Sequence, residues 1–527
     1  MSANVGAPSV RLAELIGALS LGIDLGFGQP MEHVLRQCVI AMRIADKLDL
    51  PAADRATTYY AALLLNVGCH SDAHEQAKWF GDDLTCKASK YDHDLRSLRS
   101  LVSGLRTIGA GHAPLHRFRI GLEFAVSGHR EVAHMIEHHA EISRELARQL
   151  GFADAVLDAI GASYERWDGR GWPGRLKGEA IPLAACVAQV AEFLEVAHRV
   201  DGIAKATKLA RDWRGKHFAP AVAAVVASHA QEIFAELESL AVWPCVMAAE
   251  PGDPIMLGGE RLDSALVAIG NFVDIKSPYF LGHAQAVADL ASEAAVRSSM
   301  SPTQQRLLRH AGLLHGIGRL GVSNAILDKK GPLGPGEWER VRMQPYLTDR
   351  MLRQSDALAP VTRIAVMHRE RIDGSGYPRA IGGSAIPVEA RILAAADAYQ
   401  AMCEPRPHRP ARDAREAATL LRTDARAGRL DADAVEAVLG AAGHRIVRRR
   451  EGPAGLTARE IEVLRLLARG MSNKEIAVSL SISAKTVANH VEHIYSKIQA
   501  STRAAASLFA MQHGLLPEHG FAGGAPN

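Results

Sequence analysis

The chain has 527 residues, and at about 150 residues per domain that implies three or four domains. Its 61 Lys and Arg against 58 Asp and Glu leave a formal charge of +3, so any contact with nucleic acid is local and not spread over the chain. A hydrophobic share of 48% and a charged share of 23% exclude global disorder, and an aromatic share of 5% beside abundant Ala and Leu favours helices over sheets.

Histidine stands out, with 23 residues unevenly spread. The cysteines Cys38, Cys69, Cys86, Cys186, Cys245 and Cys403 form no C-x-x-C pair and read as reduced thiols. The N-terminal apolar stretch is interrupted by Glu14 and Asp24 and lacks a basic leader, so it predicts neither a signal peptide nor a spanning helix. No other run approaches about eighteen uninterrupted apolar residues, and a soluble, cytoplasmic protein without membrane contact is expected.

Residues 165–173 read Glu165-Arg-Trp-Asp168-Gly169-Arg-Gly171-Trp172-Pro173, and residues 370–378 read Glu370-Arg-Ile-Asp373-Gly374-Ser-Gly376-Tyr377-Pro378. The same offset of 205 carries Ile181-Pro182 onto Ile386-Pro387 and Glu192 onto Asp397, which points to duplication. Each Asp-Gly-x-Gly-aromatic-Pro element predicts a turn between helices, because glycine permits positive φ and proline closes the element. Ile392, Ala395, Ala396 and Tyr399 fall on one face of a flanking helix. His129, His134, His138 and His139 share helical spacing and read as a solvated or capping set. Pro/Gly-rich stretches near 245–260 and 440–456 mark boundaries, and the segment after Leu516 reads as a disordered tail. The predicted division is therefore 1–250, 258–440, a linker 441–455, 456–516 and a tail 517–527.

The second repeat holds His283, then Leu314-His315-Gly316-Ile317-Gly318-Arg319, Gln344, His368-Arg369-Glu370, the turn at 373–378, and Ala396-Asp397. This pattern resembles the HD-GYP domain, a helical metal-dependent phosphohydrolase module. The resemblance implies metal-assisted hydrolysis of a cyclic dinucleotide in active members, with His and Asp residues as ligands. His283, His315, His368 and Asp397 keep ligand positions. Gly316 stands where the signature Asp belongs, Gln344 where a His belongs, and Arg369 where a second consecutive His belongs; Arg319 replaces the family's Lys. A fixed positive charge at Arg369 opposes cations. In the first repeat the corresponding stretch, Leu63 to Cys69, has no His-Asp pair. There Ser163 stands for His368, Glu192 for Asp397, and His139 for Gln344.

In the C-terminal segment, Thr457 with Glu460 forms a capping box before the stripe Ile461, Leu464, Leu467, and Gly470 ends that helix. Ser472 with Glu475 starts a second helix. Ser483 caps a third, with Val487, Val491 and Ile494 inward, and a fourth runs from about Thr502 to Gln512. Short helix, tight turn, helix is the helix-turn-helix plan. Leu456-Thr457, Arg459-Glu460, Gly470-x-Ser472-Asn473-Lys474-Glu475-Ile476-Ala477 and Ser483-x-x-Thr486-Val487-x-x-His490 closely resemble the LuxR-type domain. By resemblance, 484–498 is the recognition helix and the last helix dimerises. Ser483, Lys485, Thr486, Asn489 and His490 are the groove candidates, and Lys474 and Lys497 the phosphate candidates. Ala488 and Glu492 depart from the usual lysine and polar residues of the family.

The expected fold is all-α: two HD-GYP-like helical domains followed by a four-helix LuxR-type helix-turn-helix domain. The expected function is a dimeric, double-stranded-DNA-binding transcriptional regulator with a catalytically impaired sensor. No catalytic residue is assigned and no cofactor is expected. One alternative is a phosphohydrolase using Mn or Fe at His283, His315, His368 and Asp397. Another is a non-catalytic sensor of a nucleotide, small-molecule or protein effector.

Overall fold

The computed structural model describes residues 9–80, 82–88, 129–445, 453–513 and 515. The predicted tail, most of the predicted linker and the side chains of His129 and His134 lie outside them. The chain is built almost wholly of helices, as expected. Among the described residues the sole sheet pairs β1 (Val10–Arg11) antiparallel with β2 (Met256–Leu257), Val10 opposite Leu257. No helix among those residues is long and apolar enough to cross a membrane.

The chain divides into two compact units, one ending at His444 and one starting at Arg445. The first unit contains both repeats around one continuous apolar core. The first repeat holds α1 (Leu12–Gly26), α2 (His33–Lys47), α3 (Ala52–Leu64), α4 (Ala73–Phe80), α5 (Asp83–Ala88), α6 (His129–Gln149), α7 (Asp154–Gly161), α8 (Leu183–Trp213), α9 (Pro220–Ile233) and α10 (Val242–Ala248). The second holds α11 (Gly259–Asp274), α12 (His283–Arg297), α13 (Pro302–Leu314), α14 (Asn324–Leu327), α15 (Pro335–Arg342), α16 (Gln344–Leu352), α17 (Ala359–Ala365), α18 (Val388–Cys403), α19 (Ala414–Arg426) and α20 (Ala432–Ala441).

Alanine abundance has a direct structural use. The buried residues of α12 include Ala284, Ala288, Ala291, Ala294 and Ala295, and α13 crosses them at Gly312. A Cβ on Gly312 would lie 2.6 Å from Ala288 Cα, so small residues set the separation of the two helices. Their close crossing places His283, at the start of α12, beside His315, just past the end of α13.

The duplication is visible in local geometry. Helices α2 and α12 each follow a residue in the left-handed region, Glu32 at φ 77° and Gly282 at φ 76°. The Val34 amide donates to Asp24 Oδ1 (3.0 Å), as the Ala284 amide donates to Asp274 Oδ2 (2.6 Å). These pairs share an offset of 250, not 205. The first repeat therefore carries 45 more residues between its Asn66 stretch and His139 than the second carries between Gly316 and Gln344. Helices α4 and α5 lie in that insertion.

The predicted turns are turns in both repeats. Glu165 Oε1 accepts the Arg175 amide at 2.8 Å, and Glu370 Oε1 accepts the Arg379 amide at 2.8 Å, so one buried carboxylate closes each loop. A Cβ on Gly171 or Gly376 would lie 2.4 Å from the amide nitrogen of Arg166 or Arg371, which is why only glycine fits. The turns thus have a structural role of their own.

The second unit has a small core of Leu456, Val463, Leu464, Leu467, Ile476, Val487, Ile494 and Ala506, among others. Its helices are α21 (Ala458–Ala468), α22 (Asn473–Leu480), α23 (Ala484–Lys497) and α24 (Arg503–Gln512). Both predicted capping boxes form, at Thr457/Glu460 and Ser472/Glu475.

Candidate functional site

In the second repeat, three histidines are oriented by hydrogen bonds through Nδ1. That atom of His283 lies 2.8 Å from Glu404 Oε2, that of His315 2.5 Å from the Gly312 carbonyl, and that of His368 2.8 Å from the Ala365 carbonyl. An ionised carboxylate and a carbonyl can only accept, so each Nδ1 carries the proton. In a neutral His315 or His368 ring Nε2 is then a lone-pair donor, whereas His283 Nε2 meets a second carboxylate and donates to it. Nε2 of His283 and of His315 approach Asp397 Oδ1 at 3.3 and 3.7 Å. The His368 ring lies 5.0 Å from that of His315, centre to centre.

Burial pushes the His315 and His368 imidazoles down, His368 well below its usual range, which favours the neutral rings. Burial also opposes ionisation of Asp397, but Arg369 and the histidines overcome it and hold the carboxyl well below the usual carboxylate range. Imidazoles gathered on an ionised carboxylate are a donor set for a cation, which would take the place of the proton on His283 Nε2, and Glu404 behind His283 is the partner that orients such a ligand. His283, His315 and Asp397 bring one ligand atom each to within 4.8 Å of one another and could hold one divalent ion.

Guanidinium groups paired with carboxylates surround this cluster. Arg369 Nη1 lies 3.3 Å from Asp397 Oδ2. Position 316 has no side chain, and its space is filled: a Cβ on Gly316 would lie 1.9 Å from Arg319 Nη2. Arg319 is buried, with Nη1 3.2 Å from Asp274 Oδ1 and its guanidinium carbon 4.4 Å from the centre of the Phe280 ring. Arg406 lies over the same ring at 4.8 Å. Gln344 is buried at the start of α16. A donor set for one ion is thus present, and beside it the space at residue 316 holds the Arg319 guanidinium.

The first repeat fills the equivalent space with hydrogen bonds. His33 takes the place of His283, its Nδ1 2.5 Å from Glu195 Oε2. Leu65 and Asn66 take those of His315 and Gly316, and Asn66 Nδ2 donates to Glu192 Oε1 at 2.9 Å. Tyr164 replaces Arg369 and Cys69 replaces Arg319, with their Oη and Sγ atoms 2.5 Å apart. Ser163 Oγ donates to the Ile160 carbonyl at 2.7 Å. His139 is buried and pairs with Asp72, which corrects its reading as a solvated or capping residue: its helix faces the core there, and Asp72 from the inserted segment meets it. His33, Asp274, Glu404 and Arg319's placement were not foreseen from sequence. The change of offset from 205 to 250 was the available signal for His33.

In the second unit, Ser481 adopts φ 52° between α22 and α23, and Ser483 Oγ accepts the Thr486 amide at 3.0 Å. Lys485, Thr486, Ala488, Asn489 and Glu492 are exposed along α23, while Val487 and Ile494 are buried. His490 is half-buried, and burial lowers its pKa. Lys474 is exposed on α22. Lys497, a phosphate candidate, donates to Glu460 Oε2 at 2.8 Å and to the Gly455 carbonyl at 3.1 Å. Glu460 is the capping residue of α21 and needs a partner for its buried carboxylate, so it draws that lysine inward.

Residues 126–212 and 268–434 match the HD domain family, and residues 454–510 match the luxR family of bacterial regulatory proteins. The chain is 32% identical over 413 residues to the 3'3'-cGAMP-specific phosphodiesterase 3 of Vibrio cholerae, covering 77% of this chain and 90% of that protein. It is 35% identical over 137 residues to a cyclic di-GMP phosphodiesterase of Thermotoga maritima, covering 26% of this chain and 37% of that protein. A crystal structure of a cyclic GMP-AMP-specific phosphodiesterase of Vibrio cholerae aligns with a TM-score of 0.58 and 28% identity, covering 83% of this chain and 99% of that one.

Proposed function

Because the chain belongs to the HD-domain family and ends in a luxR-family helix-turn-helix domain, we propose that it is a DNA-binding transcriptional regulator whose HD region senses a ligand and does not hydrolyse it by a two-metal route. The repeats are taken as 1–250 and 258–440. The observation that carries this reading is Arg319 in the space at residue 316, in a chain whose other unit is a helix-turn-helix with both capping boxes formed. Double-stranded DNA is the partner, a homodimer the working form, and a nucleotide the effector class that the relatives' activities support. In this reading the protein works where the DNA is, in the cytoplasm.

Lys485, Thr486, Asn489 and His490 face the groove, Ser483 fixes the start of α23, and Lys474 touches phosphate. Fluorescence anisotropy with DNA upstream of the chain's own gene tests this. Binding is expected to fall steeply with salt, because phosphate contacts release counterions. Lys474→Ala is expected to weaken all sequences alike, and Asn489→Ala to relax discrimination at one base pair by ~1–3 kcal/mol. Binding that ignores salt, or none at all, would remove the proposal.

The donor set at Asp397 favours a second reading, a metal-dependent cyclic-dinucleotide phosphodiesterase using manganese or iron. Elemental analysis after dialysis against manganese separates the two. The regulator reading expects at most a single ion per chain, lost in Asp397→Asn, and no turnover of 3'3'-cGAMP. Metal-dependent turnover abolished by His315→Ala would establish the enzyme instead.

A further inference from the structure

We infer that Cys69 in the first repeat is a modification site, a thiol that hydroperoxides oxidise to a sulfenic acid, with Tyr164 and His139 as the groups that activate it. The site lies apart from the histidine cluster of the second repeat.

Cys69 sits in the single helical turn Val67–His70 that follows α3. That turn is pressed onto α6, where the Gly68 amide donates to Ser143 Oγ at 2.8 Å. The same helix carries His139, whose Nε2 pairs with Asp72 Oδ2 from the segment just before α4. Tyr164, in the turn after α7, brings its Oη to 2.5 Å from Cys69 Sγ, and its ring centre lies 6.0 Å from that of His139. Cys69, Asp72 and His139 are buried and Tyr164 is half-buried, so hydroxyl and thiol meet at the edge of the core. Glu192 on α8 is the further acid near Tyr164, and Asn66 Nδ2 donates to it at 2.9 Å.

Burial and the neighbouring Cys69 sulfur hold the Tyr164 phenol well above its usual range, so its hydroxyl keeps its proton and donates to the sulfur. Burial opposes a charge on His139, yet Cys69 and Asp72 overcome it and push the imidazole up to about 9. A cation and a hydroxyl donor beside a thiol both favour the thiolate, which is the nucleophile. Other buried thiols lack this company: burial pushes Cys38 and Cys186 up, Cys186 to about 12, so both stay protonated.

The Cys69 thiolate attacks one oxygen of hydrogen peroxide. An S–O bond forms and the O–O bond breaks; sulfur gives up an electron pair and the peroxide is reduced. The attacked oxygen keeps its hydrogen and becomes the sulfenic hydroxyl. The leaving hydroxide takes the proton of the His139 imidazolium and departs as water.

Hydrogen peroxide on the full chain tests this, with a 1,3-dione to capture sulfenic acid and peptide mass spectrometry to locate it. Label is expected on Cys69 ahead of Cys38 and Cys186. Tyr164→Phe keeps the ring, removes the donor and is expected to slow labelling of Cys69 at least about fivefold. His139→Gln leaves Asp72 buried without its partner and is checked for folding by circular dichroism. Asp72→Asn keeps the shape but removes the charge that supports the imidazolium, and a loss in the same direction is expected. Iodoacetamide is expected to alkylate Cys69 almost as fast about one pH unit below neutrality as about one unit above it, a range over which an ordinary thiol slows roughly tenfold per unit. Cys69 left unlabelled, labelled at a rate unchanged in Tyr164→Phe and Asp72→Asn, or alkylated with the steep pH dependence of an ordinary thiol would overturn the inference. No arm of the experiment uses DNA, so the regulator reading stands or falls separately.

Discussion

Replacing Asp83 with alanine is expected to lower the stability of the first unit by about 3–5 kcal/mol, read from urea unfolding followed by circular dichroism. Asp83, at the start of α5, lies in the first repeat's insertion, yet its carboxylate is buried against the second repeat. Ser323 Oγ donates to Oδ1 at 2.7 Å and the Asn324 amide donates to it at 2.9 Å. Oδ2 faces Lys87 Nζ at 3.4 Å and Lys276 Nζ at 3.6 Å. Lys276 is 1% exposed, and burial pushes its pKa down to about 8. Without Asp83, two ammonium groups are left facing each other in the interior. Asp83→Asn keeps the hydrogen-bond acceptor but not the charge, so an intermediate loss is expected. A change of under about 1 kcal/mol for alanine would mean that α5 does not dock there.

Gly318→Ala is expected to be nearly as damaging, costing about 3 kcal/mol. A Cβ on Gly318 would lie 2.0 Å from the Gln344 carbonyl oxygen and 2.8 Å from Thr348 Oγ1. The obstacle is backbone, so the start of α16 must move. The Gly318 amide also donates to Thr348 Oγ1 at 3.1 Å, a bond that the shift would strain. The first repeat repeats the contact: a Cβ on Gly68 would lie 2.0 Å from the His139 carbonyl oxygen, and the Gly68 amide donates to Ser143 Oγ at 2.8 Å. Gly68→Ala is the matched control and should lower the same melting transition. A melting temperature unchanged in both variants would show that these helices approach less closely.

The helices and the helix-turn-helix could be read from sequence because their signals are local. Ser472 with Glu475 and Ser483 before Thr486 are short-range caps, and the folded chain uses them. The turn motif was equally readable, since Gly171 and Gly376 answer a steric demand within a few residues. His283, His315 and Asp397 were named by resemblance, and the structure brings them together. Arg319 was named only as a replaced lysine. That its guanidinium fills the void at Gly316 depends on Asp274 and Phe280, on other elements. His33 was hidden because the repeat offset changes inside the repeat, and the ion pair of Lys497 with Glu460, 37 residues away, is not reported by helical spacing.

The docking of Asp83 bears on how the duplicated halves have drifted. A half whose inserted arm neutralises a lysine inside its twin is no longer a spare copy. Having Leu65, Asn66 and Ser163 at the positions matching His315, Gly316 and His368 is then no sign of dispensability. Changes in the first half that unseat Asp83 are therefore expected to lower the folding yield of the second, so the two halves stand or fall as one folding unit.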